Sequence, residues 1–266
     1  MTVPIALTIA GSDSSGGAGI QADLKTFAAF GVYGASVITA LTAQNTRGVT
    51  AIHLVPADFV TAQIDAVFGD LDVKAVKIGM VAQPAIIDAI AAGLTRWSPR
   101  HIVLDPVISA TSGDRLLAQE AIDGLRTKLI PRASLITPNL PEAAALLEEP
   151  VASGAAAIAS QGKRLLAMGA RAVLIKGGHA EGAESIDYLI GADGVIALAA
   201  PRIATRNTHG TGCSLSSAIA AGLAKGDEVE SAVGHAKAWL GAAIAAADRL
   251  GVGRGCGPIH HFHGFY

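Results

Sequence analysis

Apolar residues along this chain gather into short solid blocks, and between the blocks they recur every three or four positions. The blocks at 5–10, 34–41, 75–78, 101–104, 134–137 and 172–175 are mostly Val, Ile, Leu and Ala with little polar alternation. That is the pattern of strands covered on both faces. The stretches 19–30, 57–68, 83–95, 117–129, 141–147 and 154–168 carry helical spacing. Strand and helix thus alternate, which predicts right-handed crossovers and an open parallel sheet between two helical layers. Segments 187–190 and 195–198, joined by Gly191-Ala192-Asp193-Gly194, predict an antiparallel hairpin near the far edge. Two alanine-rich helices, at 211–224 and 228–250, follow. There is no linker, repeat or low-complexity tract, so the pattern predicts one three-layer domain over 1–266.

Composition removes several function classes. The 266 residues are 51% hydrophobic and only 16% charged, yet charges interrupt every apolar run. No run reaches the ~18–20 apolar residues of a membrane span, so no membrane partner is expected. The start, Met1-Thr2-Val3-Pro4-Ile5, lacks a basic segment and a small-residue cleavage site, and no secretory leader is expected. A net charge of −2 without a basic block argues against nucleic acid. The two cysteines, Cys213 and Cys256, do not make a disulfide framework, and a reducing cytoplasm fits them.

The most informative motif is Asn207-Thr208-His209-Gly210-Thr211-Gly212-Cys213-Ser214, a glycine-rich turn opening a helix. Such a turn aims free N–H groups and the positive end of the helix dipole at one point, an anion cradle. By itself it reads equally well as a capped tight turn. The other strand ends tip the balance, because ligands in open α/β sheets bind beyond the carboxyl ends of the strands. Those ends carry the loop 11–19 running to Asp23, then Gln44, Met80, Asp105-Pro106-Val107, Asn139 with Glu142, and Lys176-Gly177-Gly178-His179. Asp105 and Glu142 can hold a hard cation through oxygen, directly or through its waters. Lys176 is a point charge suited to phosphate. Asn139 can bond a phosphate or a metal-bound water, or simply cap the next helix. Glu142 likewise suits a first helical turn. The loop 11–19 lacks the lysine of a Walker loop and is a poor dinucleotide fingerprint.

Taken in order, these motifs resemble hydroxymethylpyrimidine/phosphomethylpyrimidine kinase, a thiamine-pathway branch of the ribokinase superfamily. The residues that carry the resemblance span the chain: residues 10–23 with Lys25-Thr26, Thr42-Ala43-Gln44-Asn45-Thr46, Lys77-Ile78-Gly79-Met80, Asp105-Pro106-Val107, 137–142, 176–179 and 210–213. The resemblance implies a ribokinase-like α/β/α sandwich with a mostly parallel sheet and an antiparallel edge. It implies ATP as co-substrate, Mg²⁺, and phosphorylation of 4-amino-5-hydroxymethyl-2-methylpyrimidine and then of its monophosphate. A homodimer is expected.

Residue by residue, the resemblance puts the pyrimidine pocket at Gly11, Asp23, Gln44, Met80 and Val107. The Gln44 amide offers the donor and acceptor that an aminopyrimidine edge needs; Met80 and Val107 read equally as core. Phosphate and nucleotide groups fall on Asn139, Lys176 and Thr211, the metal on Asp105 and Glu142, and the anion hole on Gly210, Thr211, Gly212 and Cys213. Related sugar kinases carry Asp where this chain has Cys213. A thiol at a helix N-terminus has its pKa lowered, so Cys213 is expected to be a thiolate base. Cys256 stands where the family pattern has His, which leaves the tail's role open. A pyridoxal kinase-type enzyme is the nearer alternative; a non-catalytic nucleotide sensor on the same fold is the other.

Overall fold

The inner strands of the central sheet bury both of their sides, and the edge strands are left largely open. The computed structural model describes residues 2–108, 117–178 and 182–266. Its strands and main helices are β1 (Ile5–Ala10), α1 (Gly19–Ala29), β2 (Tyr33–Ile38), β3 (Ala40–Asn45), β4 (Gly48–Leu54), α2 (Ala57–Phe68), β5 (Val73–Ile78), α3 (Pro84–Trp97), β6 (His101–Leu104), α4 (Gln119–Gly124), β7 (Leu135–Ile136), α5 (Leu140–Leu147), α6 (Ala155–Leu166), β8 (Val173–Ile175), β9 (Glu184–Gly191), β10 (Gly194–Pro201), α7 (Thr211–Lys225) and α8 (Val229–Ala245). The eight-stranded sheet runs β10-β9-β8-β7-β6-β5-β1-β2. From β2 through β8 neighbours are parallel. The β9 and β10 strands close the edge antiparallel, as the sequence predicts.

Alternate strand residues feed two cores. Leu7, Ile9, Val76, Ile78, Leu104, Ile136 and Ile175 meet α2, α3, α4 and α6. Ala6, Ala75, Val103, Leu135 and Leu174 meet α1, α7 and α8. The second core is built of small residues, with Ala218, Ala220, Ala221 and Ala224 buried on α7. Small residues let α7 lie close over the sheet, and a helix buried almost all round is fixed in place. Chain order reverses between β1 and β5, so a crevice opens at their carboxyl ends. The N-terminus of α7 points into it. No helix of the described residues is long and apolar enough to cross a membrane.

The structure corrects four sequence expectations. The block 34–41 is not one strand. It breaks at Thr39, whose N–H donates to the Ala10 carbonyl, and the chain leaves the sheet. Residues 42–46, expected as a loop, belong instead to the β3/β4 hairpin, a separate two-stranded sheet. Its signal is a period-two exposure pattern of small and polar residues, with Thr42 and Gln44 half-buried and Leu41 and Ala43 exposed. The expected helix 117–129 starts at Gln119 and widens into a π turn over Leu125–Leu129 before a 3₁₀ turn at Ile130–Arg132. Pro131 has no N–H for the α register, so the ladder shifts as it approaches. Finally, the helix expected over 228–250 stops at Ala245, and a 3₁₀ turn takes over.

Candidate active site

The anion turn forms because its glycines permit it. Gly210 caps α7 with φ +82°, a left-handed backbone that favours glycine. A Cβ on Gly210 would sit 1.9 Å from the Gly17 carbonyl oxygen, and one on Gly17 would sit 2.4 Å from the His209 ring. The turn and the loop 11–19 are therefore in backbone contact. Thr211, Gly212 and Cys213 fill the first turn of α7, where N–H groups lack helical acceptors. The Thr211 N–H reaches the Thr208 carbonyl at 3.3 Å, and the Ser214 N–H closes the first α bond to Gly210. Gly212 and Cys213 lie between them in the same first turn, their N–H groups likewise without helical acceptors.

The groups expected at the phosphate end come together beside this turn. Lys176 Nζ lies 2.7 Å from Asp105 and 3.8 Å from Glu142, so one ammonium bridges two carboxylates. A Cβ on Gly212 would lie 3.4 Å from that ammonium and 3.7 Å from Asp105, which makes the turn and the carboxylates neighbours. Asp105 also accepts from Thr137 Oγ1 at 3.0 Å and Ser216 Oγ at 3.3 Å. Burial disfavours its charge, but Lys176 and Lys77 hold its carboxyl below the usual range. Burial pushes Glu142 up to about 7, with Lys176 opposing and Asp105 adding to the rise. Asn139 and Glu142 form a reciprocal capping box: the Asn139 side chain accepts from the Glu142 N–H at 2.8 Å, and Glu142 accepts from the Asn139 N–H at 2.7 Å. Both are thus helix caps, and one Glu142 oxygen is already engaged in the cap. His179, expected beside Lys176, lies outside the described residues.

Beneath the turn lies a second pair that the sequence reading did not identify. Lys77 donates to both oxygens of Asp23, at 2.9 and 2.8 Å, and both side chains are 0% exposed. Asp23 also accepts from Thr8 at 2.6 Å and from Ser217 of α7 at 2.7 Å. The Asp23 carboxylate, expected in the pyrimidine pocket, is therefore saturated by protein donors and sealed under the crevice floor. Burial works against the Lys77 charge, yet Asp23, Cys213 and Asp105 hold its pKa above the ordinary lysine value. Gly79 makes room, since a Cβ there would be 2.7 Å from Lys77 Nζ.

Cys213 corrects the expectation of a depressed thiol. Burial pushes its pKa up; Lys77 and the Gly19 N–H pull the other way, while Asp23 and Asp105 add to the rise. Two neighbouring carboxylates and desolvation outweigh the helix end, so the resting side chain is a neutral thiol.

At the ring end, Gly11 and Met80 pack together, and a Cβ on Gly11 would lie 2.7 Å from the Met80 Cε. Val107 is half-buried one turn beyond Asp105, its N–H donating to the Asp105 carbonyl. Gln44 sits on the hairpin strand β3. Its backbone is tied to Ser14 by reciprocal bonds of 2.8 Å, and its side-chain oxygen accepts from Thr42 Oγ1 at 3.1 Å. The hairpin register shifts between Ala43 and Gln44, where Thr50 of β4 is the extra, unpaired residue.

Asp13 and His209 are further residues that the sequence reading passed over. Burial opposes the Asp13 charge, but bonds from His209, Ser15 and Ala18 hold its carboxyl far below the usual range.

Comparison with known proteins agrees with this geometry. Residues 13–260 match the model of the phosphomethylpyrimidine kinase family. The chain is 60% identical, over 97% of both chains, to a hydroxymethylpyrimidine/phosphomethylpyrimidine kinase of Rhizobium meliloti. It is 49% identical to a thiamine biosynthesis bifunctional protein of Geobacter sulfurreducens, covering 96% of this chain and 51% of that one. An ADP complex of Bacillus subtilis pyridoxal kinase superposes with a TM-score of 0.91 at 35% identity, over 98% of each chain. The fold is thus ribokinase-like, and the chain belongs to the phosphomethylpyrimidine kinase family.

Proposed function

We propose that this kinase transfers the γ-phosphoryl group of ATP to the hydroxymethyl oxygen of 4-amino-5-hydroxymethyl-2-methylpyrimidine, and then a second group to the monophosphate, in thiamine diphosphate biosynthesis. The observation that carries the reading is the bridge of Lys176 between Asp105 and Glu142 beside the α7 turn. Catalysis of phosphoryl transfer is mostly positioning plus charge stabilisation, and this arrangement supplies both.

In this reading the ring lies between Gln44, the wall formed by Gly11 and Met80, and Val107. The hydroxymethyl oxygen approaches Cys213, and the γ-phosphate rests on the Gly212 and Cys213 N–H groups with Lys176 at its side. Thr211 and Asn139 line the nucleotide side. Asp23 acts from below by fixing Lys77. The substrate oxygen bonds to phosphorus as the bond to the ADP oxygen breaks. The hydroxyl proton departs late, so Cys213 contributes modestly.

The donor set fits Mg²⁺: it is all oxygen, and burial, with Asp105 adding to it, raises Glu142 to about 7 despite Lys176, so a cation is favoured there. Asp105 and Glu142 would hold the ion through its waters. When bound, Mg²⁺ neutralises charge on the β- and γ-phosphate oxygens. The two cysteines are unpaired, in keeping with a cytoplasmic enzyme. The exposed Leu41, Val49 and Ile52 of the hairpin are the surface we assign to a homodimer.

The test is ADP release with the pyrimidine, its monophosphate and pyridoxal side by side. The reading predicts the highest kcat/KM for the first two. A preference for pyridoxal would replace it with the pyridoxal kinase reading, and turnover of none would leave a nucleotide sensor.

A further inference from the structure

The two glycine-rich segments of the site are joined by one buried contact across the whole chain. His209 Nε2 lies 2.8 Å from Asp13 Oδ2, with the carboxylate 1% and the imidazole 12% exposed. Asp13 is at the same time the organiser of its own loop. Its Oδ1 accepts from the Ser15 N–H and Oγ at 2.8 and 2.7 Å. Its Oδ2 accepts from the Gly17 and Ala18 N–H groups at 3.1 and 2.8 Å. His209 is equally fixed, by its N–H to the Gly257 carbonyl at 3.0 Å and by a bridge to Pro258. It immediately precedes Gly210, the cap of the anion turn. The contact leaves no slack, because the Gly17 backbone touches both His209 and Gly210.

We propose that Asp13 and His209 form a latch that sets the position of the anion turn 210–213 against the ring-side loop 11–19, and that His209 is a positioning residue for phosphoryl transfer. The loop carries one reactant and the turn receives the other. The latch therefore fixes the distance between the hydroxymethyl oxygen and the γ-phosphate. It touches neither reactant: His209 is spent on Asp13, and Asp13 on its loop. An error of about 1 Å between reacting groups costs on the order of 10²-fold in rate. A loosened latch should therefore lower kcat while leaving ring binding alone, since Asp13 still folds its own loop.

This inference rests on the kinase reading above, and the experiment separates the two. The wild-type rate with the pyrimidine tests the substrate. The ratio of variant to wild type, on whichever hydroxymethyl ring the wild type phosphorylates, tests the latch. His209→Leu should lower kcat between roughly tenfold and a hundredfold, with the Kd for the ring within about twofold. His209→Gln keeps a donor at the Nε2 position and should recover most of the rate. Amide exchange at 210–213 should quicken in the leucine variant and not in the glutamine one. Three results would overturn the latch: wild-type kcat in His209→Leu, no rescue by glutamine, or a rate loss matched by loss of ring binding. If the leucine variant fails to fold, the glutamine variant against His209→Asn, whose donor is too short to reach, decides by the same ratio.

Discussion

Two lysine–aspartate pairs sit at neighbouring strand ends under the same helix, and they are built to one plan. Asp23 takes Lys77, a threonine from β1 and Ser217 of α7. Asp105 takes Lys176, Thr137 just beyond β7, and Ser216 of α7. The difference is exposure and partners. Lys77 is sealed, whereas the Lys176 side chain is 14% exposed and shared with Glu142. A sealed pair has no route to exchange its partner for a ligand, so it braces the crevice floor. An open pair with a surplus carboxylate can give its ammonium to a phosphate and its carboxylates to a cation. Location within a site thus separates scaffold from chemistry where residue type does not.

The largest expected effect attacks the sealed pair. Lys77→Met leaves Asp23 buried and unpaired, and should cost about 3–5 kcal/mol in urea unfolding. Adding Asp23→Asn should recover much of that. If Lys176→Met proved as destabilising, the contrast would collapse. Instead Lys176→Met should lower kcat roughly 10²–10³-fold, the range for losing one transition-state donor, with a much smaller stability loss. Gln44→Ala should come next, cutting kcat/KM for the pyrimidine while basal ATP hydrolysis stays put; equal losses would remove its specificity role.

Cys213→Ser sharpens the comparison from above the sealed pair. The first transfer releases a hydroxyl proton, but the second is made by a phosphate oxygen already ionised near neutral pH (pKa near 6). A thiol neutral at rest can take that proton only after losing its own, so the serine variant should slow the first step by no more than about tenfold and the second hardly at all. Equal effects on both steps would leave the thiol a packing residue.

The smallest effect reads the surplus carboxylate. Glu142 titrates near 4.5 unfolded and about 7 folded. Between those values the folded chain holds a proton that the unfolded chain has lost, so stability falls as pH rises through the window. Glu142→Gln lacks that loss. The Tm of the variant minus that of the wild type, without ligand, should grow from pH 4.5 to above 7. The same variant should need more Mg²⁺ for half-maximal rate. A flat difference would mean that Glu142 keeps its charge through Lys176 alone.

Much of this site was legible because strand ends are. Solid apolar blocks mark where strands stop, and Asp105, Asn139, Glu142 and Lys176 each follow one. The hairpin was not legible as such, because its small polar strand reads like a loop and it is tied to the site by Ser14, far off in the chain. The latch is less legible still, since its partners lie 196 residues apart. Lys77 did leave a trace: a lysine inside a strand covered on both faces needs a buried partner. The Cys213 thiol misled because a helix N-terminus can be read from sequence, while the two carboxylates crowding it appear only after folding.

The hairpin β3/β4 ladders only with itself, outside the eight-stranded sheet. No core strand would change register if its residues were exchanged, shortened or lengthened. On the proposed reading, the part of substrate choice that Gln44 carries is therefore separable from phosphoryl chemistry: the ribbon can be recut by ordinary drift while the transfer machinery stays fixed. A fold arranged this way can change vitamins without rebuilding its core, and a pyridoxal kinase superposing at a TM-score of 0.91 with 35% identity is the outcome such an arrangement permits.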